Sequence, residues 1–181
     1  MKANKFKYLS LLISICGALL LSANATAAIP EVGQSYYTKH GFFFEKGRHL
    51  TTNYGRGEFV PANSQVQVKK IKGKSMVLVF NGQDISIQNV AKHTKVDINE
   101  IADRMLSSTP VTIGGQYAKD ISYGVMRLGM SKAEVIMARG YPPAHKTPDT
   151  DYDLWVYWSS RFVQLSLVFE NGRLIQGRGL R

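Results

Sequence analysis

Between residues 60 and 90 polar and apolar positions trade places every second residue, and that two-residue period predicts strands. Gln65-Val66-Gln67-Val68-Lys69 alternates strictly, as a strand with one wet and one buried face requires. Ser75-Met76-Val77-Leu78-Val79-Phe80 is followed by Asn81-Gly82 and then Gln83-Asp84-Ile85-Ser86-Ile87. Asn-Gly supplies the two positive-φ positions of a type I′ turn, so these runs close as a tight hairpin. Val60-Pro61-Ala62-Asn63 is a turn entering the alternating strand. Several short strands with little helix between them predict a small barrel or curled sheet.

The period changes near residue 97. Asp97-Ile98-Asn99-Glu100 has the form of a capping box, with Asp97 accepting from the third helical amide and Glu100 reaching back. Ile98, Ile101, Ala102, Met105 and Leu106 then make one apolar stripe, a helix of about ten residues with one face on a sheet. Ser107-Ser108-Thr109-Pro110 stops it, and residues 111–123, with Gly114-Gly115, form a linker or a short second helix.

A second capping box pairs Ser131 with Glu134, and Met130 and Val135 are spaced for a hydrophobic staple. Gly140 suits a left-handed C-terminal cap and Pro142-Pro143 forbids continuation, so this helix is about eight residues long. Leu154–Trp158 and Phe162–Glu170 are strands, and Asn171-Gly172 turns the second into Arg173–Gln176.

Taken in order, Arg127-Leu128-Gly129-Met130-Ser131, Glu134-Val135, Gly140-Tyr141-Pro142, Trp155-Val156-Tyr157 and Leu165–Gly172 resemble the SmpA/OmlA family. That BamE-like family includes the small accessory component of the outer-membrane β-barrel assembly machine. The likeness implies an α+β unit, helices on one face of a three-stranded antiparallel sheet, over residues 124–181. It also implies a periplasmic protein- or lipid-binding role without catalysis. Well-known members are short lipoproteins, whereas this chain adds a β-rich half over residues 28–95 and a helical linker over 96–123. That first half is similar to bacterial SH3-like domains. The helix-and-sheet plan also resembles secreted β-lactamase inhibitor proteins.

Charge and the N-terminus set the location. Lys2, Lys5 and Lys7 precede an apolar run from Tyr8 to Leu21, which ends in the small residues Ser22–Ala28. These are the three parts of a secretory signal peptide, cut after Ala25 or Ala27. The run is shorter than the ~20 residues of a spanning helix, so the mature chain has no transmembrane span. Cys16 follows Ile15 within the apolar run, the wrong context for lipidation. Cleavage over 1–27 removes that sole cysteine and leaves 20 basic against 13 acidic side chains. The expected partner is an envelope protein, an anionic lipid or a cell-wall polymer; an exported chain has little use for nucleic acid.

No nucleophile elbow, zinc-protease helix or phosphate loop occurs. Asp149-Thr150-Asp151-Tyr152-Asp153 begins like a calcium loop, but Leu154 and Ser160 stand where glycine and glutamate belong. His40, His49, His93 and His145 lack metal spacing, although His40 and His49 are placed to meet across a hairpin. No metal and no cofactor is expected. Binding candidates are aromatic instead. Phe42, Phe43 and Phe44 cannot all share one strand face, so part of the set faces a partner or the second half. Trp155 and Tyr157 share a face and Trp158 takes the other, flanked by Arg161, a hot-spot composition. Tyr141 completes the set. The expected function is a non-catalytic periplasmic or outer-membrane-associated binding module, an accessory factor for envelope protein assembly. A secreted inhibitor or cell-wall-binding protein is the alternative, and a hydrolase of unfamiliar type has no residue-level support.

Overall fold

The computed structural model describes residues 30–178 and 180, so the signal segment lies outside the described residues. The chain is α+β. Its first half forms β1 (Ser35–Thr38), β2 (Phe42–Phe44), β3 (Arg48–Leu50), β4 (Glu58–Val60), β5 (Gln65–Lys72), β6 (Ser75–Phe80) and β7 (Gln83–Gln88). Helix α1 (Ala91–Thr94), helix α2 (Ile98–Met105) and strand β8 (Leu106–Ser107) follow. The second half holds α3 (Ala118–Ser122), α4 (Lys132–Arg139), β9 (Leu154–Ser160), β10 (Val163–Glu170) and β11 (Arg173–Gly177).

Alternation in β5 puts Val66 and Val68 into the core and Gln65, Gln67 and Lys69 into water. At the β6–β7 turn Asn81 and Gly82 both take positive φ, as the Asn-Gly pair demands. The curled sheet has the order β3-β7-β6-β5-β1-β8, and only its β3–β7 pair is parallel. Strands β2 and β4 pair separately across its open side. Phe42, Phe44, Val60, Met76, Leu78, Ile85 and Ile87 fill the first core.

The helices of segment 96–123 contribute to both cores. Ile98, Ile101, Ala102 and Met105 of α2 belong to the first core, whereas Ile121 of α3 belongs to the second. An amphipathic stripe must bury itself against the nearest apolar sheet, and α2 finds the one just made. Asp97 caps α2 by accepting from the Asn99 and Glu100 amides, but the return arm of the box is missing. Glu100 turns instead to Arg104, one helical turn on.

In the second half β11-β10-β9 form an antiparallel sheet whose inner face carries Trp155, Tyr157, Leu167, Phe169 and Leu174. Helix α4 lies over that face with the complete Ser131–Glu134 capping box. Met130 and Val135, the staple pair, are both fully buried. Gly140 ends the helix at φ 76°, ψ −177°, a conformation close to glycine-only rather than the left-handed cap. A β-carbon there would also collide with the His40 ring. No helix among the described residues is long and apolar enough to cross a membrane.

Candidate functional site

The site begins with an unfinished helix. The last carbonyls of an α-helix have no intrahelical donor, and those of α4 are met from the first half. The Gly41 amide donates to the Met137 carbonyl at 2.9 Å. Asn53 Nδ2 donates to the carbonyls of Arg139 at 2.6 Å and Tyr141 at 3.0 Å. Asn53 reaches both from a left-handed backbone (φ 59°), a conformation asparagine tolerates better than most residues. A second clasp joins the Gly55 amide to the Trp158 carbonyl on the edge of β9. The halves thus meet backbone to backbone.

Beside that junction a small cavity of about 40 Å³ is lined by His40, His49, Thr51, Asn53, Thr94 and Arg104, with Tyr141 and Pro142 closing it. It continues into an open groove of about 410 Å³ walled by Tyr141, Pro142, Val96, Arg104, Thr147 and Asp149. The Arg104 guanidinium stands 5.1 Å over the Tyr141 ring, and the His40 ring meets the same tyrosine edge-on at 6.0 Å. Arg104 is also held by Glu100.

Both imidazoles are neutral. Burial drives His40 and His49 down to about 4, because a buried ring disfavours the charged form. His40 Nδ1 lies 3.0 Å from the Gly41 carbonyl and His49 Nδ1 lies 2.7 Å from the Phe43 carbonyl. A carbonyl only accepts, so each Nδ1 carries the hydrogen and each Nε2 keeps a lone pair. Asn53 Oδ1 is buried without a donor. The inner cavity is therefore lined by these acceptors together with the Arg104 donors, a mixture that suits water. Its hydroxyls are already committed, since Thr51 and Thr94 both donate to Asn89 Oδ1. No group of three metal-ligating side chains occurs among the described residues.

The aromatic candidates separate sharply. Trp155 and Tyr157 share a face as alternation requires, but it is the inner one and both are fully buried. They cannot contact a partner. Tyr157 Oη instead donates to the Gly140 carbonyl at 2.7 Å, and burial pushes its pKa upward. Phe42 and Phe44 are likewise core. Phe43 takes the opposite face of β2 and packs on Phe59 and on the Arg139 guanidinium, at 4.7 and 4.8 Å. The triple phenylalanine thus serves two internal contacts, its own core and the second half.

Trp158 points to the outer side of its sheet, yet His145 stacks over it, with His93 stacked beyond. That outer side is not a free aromatic surface; its uncovered part includes the exposed Leu154 with Gln164, Ser166, Val168 and Gln176. Of the candidates, Tyr141 lines the groove, the half-buried Phe43 lines a separate hollow of about 170 Å³, and Arg161 is exposed. Arg161 lies under Phe162, which is 86% exposed at the β9–β10 turn rather than inside the strand. The Asp149–Asp153 loop is exposed, with Asp149 accepting from the Asp151 amide and Lys132 pairing with Asp153.

Sequence patterns missed Asn53, Arg104 and Arg139. Nothing local marks an asparagine that caps a helix 86 residues away. Compared with known proteins, the chain matches no family model, no curated protein and no solved structure.

Proposed function

We propose that this protein is a non-catalytic binding module of the cell envelope, periplasmic or peripheral at the outer membrane. It holds an extended segment of another envelope protein in the groove between its halves. The observation that carries this reading is the groove itself. It lies at a junction of two folded halves, where ligand sites concentrate. Its lining joins Tyr141 and Pro142 to the Arg104 guanidinium that stands over the tyrosine ring. Tyrosine and arginine in contact are the side chains that contribute most at protein interfaces.

The export pattern at the N-terminus supports the location, and the SmpA/OmlA resemblance of residues 124–181 supports an assembly-accessory role. A three-stranded sheet under a boxed, stapled helix is consistent with that BamE-like plan, as the curled sheet is with an SH3-like one. The chemistry of the cavity supports binding over catalysis. The one hydroxyl–imidazole pair among the described residues, Thr52 Oγ1 with His93 Nδ1 at 2.9 Å, involves a buried threonine that lines neither part of the groove.

Affinity capture from solubilised envelope, followed by mass spectrometry, tests the proposal. A single protein should be recovered with the wild type and lost with Tyr141→Ala or Arg104→Ala at unchanged melting temperature. Recovery that ignores both substitutions refutes the groove. The second reading, a cell-wall-binding or inhibitor protein, is favoured by the basic excess and by the exposed Arg161–Phe162 tip. Sedimentation with purified peptidoglycan that depends on Arg161 would support that reading instead.

A further inference from the structure

Arg139 is a cation without a counter-charge. Its side chain leaves the last turn of α4, runs past Gly55 and lies 4.8 Å over the Phe43 ring. A β-carbon on residue 55 would overlap Nη2, so the glycine makes room for the guanidinium. Arg139 Nε is buried and donates to nothing, and no carboxylate pairs with Arg139 among the described residues. Burying an unpaired charge is costly, and arginine cannot escape by losing its proton.

Arg139 also lines an open recess of about 380 Å³ with Arg127, Arg178, Val125, Leu165 and Leu180. No acidic side chain lines it among the described residues. Asp120 already pairs with Arg127 at 2.7 Å, so among the described residues Arg139 and Arg178 have no acidic partner around this hollow. The floor is apolar, which strengthens any charge pairing made above it. A planar guanidinium fork matches the tetrahedral oxygens of phosphate.

We infer that this recess is a phosphate-binding site, with the half-buried Arg139 as its anchor and Arg178 as its exposed rim. The ligand is inorganic phosphate or a phosphate monoester. Arg139 binds two oxygens through its fork, Phe43 holds the fork flat, and Arg127 stays oriented by Asp120. The site does not depend on the groove beyond Tyr141.

Titration followed by amide NMR tests it, with inorganic phosphate in one arm and glycerol 3-phosphate in the other. Ionic strength is held constant with chloride in both. Saturable shifts should appear at the Gly124, Val125, Met126 and Arg127 amides in at least one arm, and the stronger arm identifies free phosphate or ester. Arg139→Gln should weaken binding by about tenfold or more, Arg139→Lys by less, and Arg178→Gln by several-fold. Arg178 is exposed, so its variant decides the matter if Arg139→Gln does not fold. Absence of saturable shifts in both arms overturns the site, as does an affinity that Arg178→Gln leaves unchanged.

Discussion

Two basic environments flank the end of α4, a buried histidine pair and a half-buried arginine, and they solve the same problem in opposite ways. On the groove side His40 and His49 shed their charge: burial lowers them to about 4, and each ring satisfies its one N–H on a carbonyl. Across the helix end Arg139 is pushed down by burial as well, yet keeps its proton because its ordinary value starts so high. A titratable base can be stored in an interior at the cost of acid sensitivity. A permanent cation can be stored only with an anion or with water at hand. The difference separates a structural pair of histidines from an arginine whose Nε has no partner among the described residues.

Acid should break the first environment and spare the second. Above pH 6.5 both histidines are neutral folded or unfolded, and their burial costs nothing. Between pH 6.5 and about 4 the unfolded chain binds protons that the folded chain refuses, so stability falls as pH falls. Each histidine removes on the order of 3 kcal/mol across that window. Urea midpoints measured from pH 7 to pH 4 should drop steeply, and His49→Gln should flatten the slope.

Trp155→Ala should cost about 3–5 kcal/mol by emptying the second core, with the pH slope unchanged. Melting like the wild type would show that Trp155 is not a core residue. Asn53→Ala strips two carbonyls of their donor at the point both environments share. It should cost about 2–3 kcal/mol in urea unfolding, and the wild-type stability would refute its role as a helix cap. Ser131→Ala, at the far end of α4, should cost about 1 kcal/mol and leave acid sensitivity and phosphate binding as they were.

Local chemistry was legible in the residues; tertiary chemistry was not. Asn81-Gly82, the Ser131–Glu134 box and the alternation of β5 each act within a few residues, so pattern alone locates them. Trp155 and Tyr157 show where such reasoning stops. Alternation correctly put them on one face, but which face lies under a helix depends on where α4 packs. Trp158 was assigned correctly to the other face, yet its cover comes from His145, in a loop with no periodicity. Tyr141 and Arg104 meet across 37 positions of chain, and only the fold brings that pair together.

The clasps from Gly41 to Met137 and from Gly55 to Trp158 run between main-chain atoms, so no rotamer change can loosen them. The two walls of the groove are accordingly set at one width before any partner arrives. An incoming segment has little host motion to freeze and must already fit. On the proposed reading such a host discriminates by shape, and a single added methyl at its Tyr141 wall would alter which segments fit.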